Sequence, residues 1–159
     1  ENKNLKKLCL GNASSEAFRP FLGVLPGNNT LETLKIVFRN MVDNDTCERL
    51  ADVLIPNSNL RSLSLLNCNR PDGCFSEKGQ RHLVTLVERN FYIQEMTVAG
   101  PTNSRIDFYV KLNCAGRRKL FNDNNTRTDW IDVLTCVADD VECLFHLLLL
   151  NPALCDIGL

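Results

Sequence analysis

The chain has 159 residues, of which 44% are hydrophobic and 23% are charged, and its formal net charge is −1. This balance is typical of a folded domain, and it excludes both a disordered chain and a nucleic-acid binder that works by bulk positive charge. The longest strongly apolar run, Leu144 to Leu150, is too short to cross a bilayer. We therefore expect neither a nucleic acid nor a membrane as partner.

One nine-residue frame occurs four times in the first hundred residues. Each copy reads Asn-x-x-Φ-x-x-Φ-x-Φ, where Φ is Leu, Ile, Met or Val, and the copies begin at Asn2, Asn28, Asn57 and Asn90. The alternation over the last three positions predicts a short strand with alternate side chains turned into the core. Regular recurrence of such a frame indicates a repeat architecture.

Apolar residues with helical spacing lie between the predicted strands, at ten, nine and six positions before the first Φ. Spacings of three and four predict one amphipathic helix per interval. A single strand and helix cannot bury their apolar sides alone, so successive repeats are expected to stack on a shared core. The helix positions are Phe21, Leu22 and Leu25, then Leu50, Ala51 and Leu54, then Leu83, Val84 and Val87.

The Asn that opens each frame is expected to be architectural. Asn ends helices well because it tolerates left-handed backbone, and its side chain can bond nearby backbone groups.

The frame resembles that of ribonuclease-inhibitor-type leucine-rich repeats over residues 1–101. The resemblance implies an α/β solenoid with short parallel strands on a concave face and helices on a convex face. It also implies binding of a protein partner on the concave face. An insertion at Arg70–Cys74 departs from the family pattern, as does the turn after the strands, where the family's Asn or Cys is matched only by Cys68.

Residues 102–159 no longer follow the frame and are predicted to form an all-helical C-terminal cap that covers the flank of the last repeat. Ser104 with Asp107, and Asp139 with Glu142, look like two capping boxes. The region is similar to the C-terminal part of leucine-rich-repeat proteins from diatoms, a similarity that implies no known activity. The expected apolar stripes are Ile106, Tyr109, Val110 and Asn113, then Trp130, Ile131, Leu134 and Val137, then Leu144, Leu147 and Leu148.

The outward residues of the strands are the candidate binding surface. They form three columns across the repeats, with Phe38 and Arg61 beside them, and give a mixed polar surface with an apolar edge. Curved arrays of this kind bind proteins through area and complementarity. The expected partner-binding residues are Lys7, Cys9, Thr33, Lys35, Val37, Arg61, Ser62, Ser64, Leu66, Glu95 and Thr97.

The eight cysteines have three interpretations: disulfides, metal ligands or small apolar core residues. No pair has the C-x-x-C spacing of a zinc site, so no metal is expected. The closest pairs, Cys68 with Cys74 and Cys136 with Cys143, have a spacing that suits packing on one helix face. Reduced and mostly buried cysteines are the favoured interpretation.

No catalytic or cofactor-binding residue is expected. His82 and His146 are the two histidines, and nothing in the sequence places either beside an exposed thiol. The basic run Gly116–Lys119 is more typical of a solvated helix face than of a docking site.

The sequence therefore predicts a non-catalytic protein–protein interaction scaffold, cytoplasmic or nuclear, with an unknown protein partner. We expect it to be the C-terminal part of a longer monomeric protein. One alternative is a secreted or cell-surface recognition domain with disulfides. Another is the substrate-binding part of a larger regulatory enzyme, such as a ubiquitin-ligase subunit.

Overall fold

The computed structural model describes residues 4–69, 73–101, 103–122 and 124–152. Asn2, the insertion at 70–72 and Cys155, all of which entered the sequence predictions, lie outside these ranges. The elements in chain order are β1 (Lys7–Ala13), α1 (Ser15–Leu22), β2 (Thr33–Phe38), α2 (Asn44–Leu54), β3 (Ser62–Asn67), α3 (Glu77–Arg89), β4 (Glu95–Val98), α4 (Ser104–Cys114), a 3₁₀ helix (Arg117–Phe121), α5 (Arg127–Cys136) and α6 (Val141–Leu150).

The four strands form one parallel sheet in the order β1-β2-β3-β4. Its register follows the repeated frame, because Leu8, Leu34, Leu63 and Met96 are neighbours across it. A helix connects each strand to the next, as parallel pairing requires. The predicted α/β class and the alternation of strands and helices are confirmed.

The core lies on the side of the sheet that carries the Φ residues. Leu34, Ile36, Leu63 and Leu65 have no exposed surface, whereas the equivalent Leu8 at the sheet edge is half-buried. The inner sides of the helices are buried as well, and α2 packs against α1 and α3. Burial of each such side chain stabilises the fold by about 1.5–3 kcal/mol.

The frame asparagines bind the backbone that leads into each strand. Asn90 Oδ1 accepts hydrogen bonds from the backbone N–H groups of Tyr92 and Ile93, at 2.8 and 3.0 Å. Asn28 and Asn57 accept from the residues two and three positions later in the same way. These bonds satisfy amide groups that no strand or helix pairs.

The described frame asparagines do not adopt the left-handed backbone that Asn tolerates. Among the described non-glycine residues, only Asn12 has a positive φ, at 57°, and Asn90 has φ −92° and ψ 116°. Extended backbone at Asn90 already turns the chain from α3 towards β4, so the left-handed conformation is not needed there.

The chain divides into two compact units, Glu1–Val110 and Lys111–Leu159. The predicted boundary at residue 101, and the capping role given to the segment after it, stay predictions. Within the first unit the middle of α4 is joined to α3, because Tyr109 Oη donates to Glu88 Oε1 at 3.0 Å.

Two predicted capping boxes are wrong by one residue. Ser104 is the first residue of α4, and the side chain of Asn103 accepts from the N–H of Arg105 at 3.1 Å. The N-cap of α6 is Asp140, which accepts from Cys143 N at 3.0 Å. In both places two adjacent residues have side chains that can cap a helix, and the backbone path decides which of them does so.

The second unit contains a capping box that the sequence interpretation missed, in which Thr126 and Asp129 bond each other's backbone N–H groups. The stripe predicted for α5 is partly wrong, since Val133 is buried and Ile131 is 53% exposed. Val133 lies three positions after Trp130 and so shares its helix face, whereas the adjacent Ile131 does not.

No helix within the described ranges has the length and apolar character needed to span a lipid bilayer.

The prediction that the cysteines are mostly buried is wrong for the described residues. Four of the seven described cysteines are exposed and three are buried, and all seven are free thiols. Cys136 ends α5 and Cys143 lies in α6, so this pair does not share a helix face as expected. The exposed cysteines are Cys9, Cys68, Cys114 and Cys136, and the buried ones are Cys47, Cys74 and Cys143.

Candidate functional site: the polar face of the sheet

The face of the sheet opposite the core carries the residues between the Φ positions. Backbone pairing aligns them in two complete columns, each with one residue from every strand. We call this surface the polar sheet face. Its members are Lys7, Thr33, Ser62 and Glu95 in the first column, Cys9, Lys35, Ser64 and Thr97 in the second, and the pair Val37 and Leu66.

The structure brings the predicted partner-binding residues of the strands together, and none of the eleven is buried. The third predicted column is reduced to Val37 and Leu66, because Gly11 lies at an irregularity of β1 and Ala99 lies beyond β4. Exposed members are Lys7, Cys9, Lys35, Glu95 and Thr97, and half-buried members are Thr33, Val37, Arg61, Ser62, Ser64 and Leu66.

Phe38 does not contribute to the apolar edge of this surface, contrary to expectation. Strand alternation turns it to the same side as Ile36, and it is 1% exposed. Its ring packs edge-to-face against Phe18 and Phe75, with centroids 5.7 and 6.2 Å apart. The apolar edge therefore consists of Val37 and Leu66.

Charge is distributed unevenly over the polar sheet face. Lys7 and Lys35 lie on the first two strands and Glu95 lies on the fourth, and none of the three forms an ion pair with another described residue. Three strand spacings of about 4.8 Å separate the Lys7 backbone from the Glu95 backbone by roughly 14 Å. The face is thus basic at one side, acidic at the other and neutral between them.

A second row of polar residues lies one position before the first column, at the amino ends of the strands. We call it the amino-edge row, and it consists of Lys6, Glu32, Arg61 and Gln94. The carbonyl oxygen of each of the first three residues accepts from two backbone N–H groups, at 2.8 Å from the next residue of the row and at 3.0 Å from the first residue of the strand that follows it. Sequence reasoning found only Arg61 in this row, although its position directly after the first Φ is also part of the repeated frame.

An ion pair joins the first two residues of this row. Lys6 Nζ lies 2.8 Å from Glu32 Oε1. The hydrogen bond and charge of Lys6 lower the pKa of Glu32, and those of Glu32 raise the pKa of Lys6. Both side chains are well exposed, so the pair adds little to stability and serves to hold opposite charges side by side at the edge.

Arg61 is fixed at the centre of the row. Its guanidinium lies 5.1 Å from the centroid of the Tyr92 ring, within range of a cation–π interaction. Its Nη1 also donates to the carbonyl oxygen of Ser58 at 2.9 Å. Arg61 therefore belongs to the edge of the sheet and not to the columns, and its charge is held in one place.

Cys9 places an exposed thiol on this surface, whereas the buried thiols and His82 lie away from it. Burial raises the pKa of the Cys47 thiol to about 12 and that of Cys74 to about 11, so both stay protonated near neutral pH. The side chain of His82 in α3 has a buried Nε2 with no hydrogen-bond partner. In the part of the chain that the structure describes, no group of three His, Cys, Asp or Glu residues is arranged to hold a metal ion.

The basic run at 116–119 is only partly the solvated surface that was expected. Arg117 is 3% exposed, and its Nε donates to Asn113 Oδ1 at 2.6 Å. Lys119 is exposed and lies 3.4 Å from Asp132. The turn that Gly116 makes, with φ 89°, directs the first arginine inward.

Comparisons with protein-family models, with curated proteins and with solved structures find no match to this chain. What the protein can bind must therefore be inferred from the polar sheet face and the amino-edge row themselves.

Proposed function

We propose that this chain is a non-catalytic protein-binding module and that the polar sheet face binds its partner. The observation that carries the proposal is the alignment of unburied side chains in complete columns across all four strands. A sheet face whose side chains stay unburied offers regularly spaced contacts on a rigid support. Such a surface suits recognition by complementarity.

We propose further that the strand–helix segments form a leucine-rich-repeat solenoid of the ribonuclease-inhibitor type, with the polar sheet face on its concave side. The side-chain amide of Asn90 supports this, because it donates to the carbonyl oxygens of Leu54 and Asn57 in the preceding segment, at 2.7 and 2.8 Å. Asn57 makes a longer bond of the same kind to Asn28, at 3.5 Å. A bond repeated between successive segments is what a stacked array requires.

The size and charge of the surface favour a protein partner. Four strands with the spacing and rise of a normal sheet give a face of roughly 15 by 20 Å. A standard interface uses about 800 Å² per partner, so the contact must extend beyond the columns. The amino-edge row, with Glu32 and Arg61, adjoins the first column and supplies further charged contacts.

The direct test compares the proteins that the immobilised chain retains with those that two of its variants retain. The chain would be immobilised beside the variant Ser64→Arg, which places a long cation at the centre of the polar sheet face without entering the core. The matched control is Glu48→Arg on α2, an exposed position that takes the same new side chain. We expect at least one protein to be retained by the chain and by the control and to be lost from Ser64→Arg.

The proposal fails if every retained protein binds Ser64→Arg as well as it binds the unchanged chain. It also fails if binding is lost from Glu48→Arg instead, since the partner would then contact the helices. Circular dichroism of both variants confirms that the fold is unchanged before the captures are compared.

A further inference from the structure

Helix α6 carries apolar side chains on two opposite sides. Cys143 and Leu147 are fully buried and anchor one side. On the other side Val141, Phe145 and Leu149 are 79%, 62% and 62% exposed. Residues four apart on a helix lie above one another, so these three side chains form one continuous exposed line, which we call the α6 stripe.

This exposure differs from that of single surface residues. Isolated apolar side chains are common on protein surfaces, but a contiguous apolar patch marks a binding surface. The stripe runs from Val141, the first residue of α6, to Leu149 near its end, whereas Leu150, 47% exposed, lies three positions after Leu147 and so on the anchored side. The helix is thus apolar along its full length on the side that faces solvent.

Area argues against a second copy of this chain as the occupant. A ten-residue helix is about 15 Å long and about 10 Å wide, so one side of it offers roughly 150 Å². A stable dimer uses about 800 Å² per partner. Two copies joined through α6 alone would bury too little surface to stay together, and any other partner must also contact residues beside the stripe.

The carboxylates at the amino end of α6 also argue against a second copy of this chain as the occupant. Asp139, Asp140 and Glu142 lie at the amino end of α6, where one cation, that of Lys111, is 2.9 Å from the Asp140 carboxylate and 3.9 Å from that of Asp139. In an antiparallel pair of α6 helices, the carboxylates of Asp139 and Glu142 would meet the carbonyl end of the other helix. In a parallel pair they would meet each other, and both arrangements are repulsive.

We propose that the α6 stripe binds an amphipathic helix of another protein, with Leu-like side chains at helical spacing and Lys or Arg at the end that meets Asp139 and Glu142. The apolar line supplies the contact that a helix in a groove uses, and the acidic end sets the direction of the bound helix. This surface lies in the second compact unit and is independent of the polar sheet face.

A fluorescein-labelled model peptide tests this directly. The peptide is an Ala-based helix with Leu at i, i+4 and i+8 and two Lys at one end, and its binding is followed by fluorescence anisotropy. We expect Phe145→Gln to weaken binding at least tenfold. Val24→Asn, at a side chain of equal exposure in the first compact unit, should leave binding unchanged.

A second comparison tests the acidic residues at the amino end of α6. Glu142→Gln should weaken binding of the Lys peptide about threefold and have no effect on a peptide in which both Lys are Gln. Sedimentation equilibrium of the chain without peptide completes the experiment, and we expect no self-association through α6.

Three results would overturn the proposal. In the first, the Leu peptide binds no better than a peptide with Ser in place of each Leu. In the second, Phe145→Gln and Val24→Asn bind the peptide equally well. In the third, the chain forms a dimer that Phe145→Gln dissociates, which would make a second copy the occupant.

Discussion

The side chain of Asn90 is 1% exposed and joins two successive strand–helix segments. Its carbonyl oxygen accepts from two N–H groups before β4, and its amide group donates to three carbonyl oxygens between the end of α2 and β3, those of Leu54, Ile55 and Asn57. Each of those backbone groups would lose a partner if the amide were removed. A buried polar group without a partner costs about 1–3 kcal/mol.

Asn90→Ala should therefore lower the free energy of unfolding by about 2–4 kcal/mol, as measured by denaturant titration. The control is Asn124→Ala in an exposed loop, which should change it by less than about 0.5 kcal/mol. Equal effects of the two substitutions would show that the Asn90 bonds do not hold the segments together.

Protonation of Asp140 is expected to destabilise the second unit at low pH. Its hydrogen bond from the Cys143 backbone, followed by its bond from Lys111, lowers the pKa of the carboxyl to about 2. A lowered pKa means that the folded state holds the proton less tightly than the unfolded state does. The stabilisation is therefore complete above the ordinary Asp pKa and is lost as the pH falls towards 2.

The unfolding free energies of the chain and of Asp140→Asn should differ at pH 6 and converge between about pH 4 and pH 2. Urea titrations at a series of pH values measure this difference. A difference that stays constant down to pH 2 would mean that the Asp140 carboxylate makes no favourable contact.

At the same scale, the sequence predicted that the frame asparagines bond nearby backbone and left their backbone conformation open. A recurring polar residue between a helix and a strand indicates a side chain that bonds backbone. Whether that residue also turns left-handed depends on the path of the chain, which a single sequence does not specify. Lys6 and Glu32 were missed because strand alternation assigns residues to the two faces of a sheet and does not identify those at its edge.

At the scale of elements, the strands were predicted well and the helix starts were not. Four copies of one frame specify the register of the sheet, because a shift by one residue would turn every buried Leu outward. Each helix start, in contrast, is specified only once in the sequence. Asn103–Ser104 and Asp139–Asp140 each offer two adjacent capping residues, so the start could be misplaced by one residue. The stripe predicted for α6 is only partly right, because Leu147 is buried with Cys143 whereas Leu144 and Leu148 are half-buried in a helix that is apolar nearly all round.

The capping box of α5 leads to a prediction at this scale. Thr126→Ala removes the hydroxyl that accepts from Asp129 N at 3.2 Å, and it should destabilise the fold by about 1 kcal/mol. Thr128→Ala is the matched control, since Thr128 is exposed in the first turn and makes no cap. Thermal unfolding of both variants measures the effect, and a lower Tm for Thr128→Ala than for Thr126→Ala would contradict the assignment.

At the scale of the molecule, the two compact units present different kinds of surface. The first displays the polar sheet face, where opposite charges lie on the outer strands, and the second displays the apolar α6 stripe. Fold class was predictable because the repeated frame encodes it. The surfaces were predictable only where the frame fixes side-chain direction, as it does for the columns of the sheet.

Thiol footprinting of the captured complex tests the central claim most directly, because Cys9 lies within the polar sheet face and Cys136 lies in the second unit. Both are exposed in the free chain, so both should react quickly with a maleimide, and mass spectrometry of the digested chain separates them. In complex with the partner that Ser64→Arg fails to retain, labelling of Cys9 should slow at least tenfold while labelling of Cys136 stays unchanged. Unchanged labelling of Cys9 in that complex would show that the partner binds elsewhere and that the polar sheet face is not the binding site.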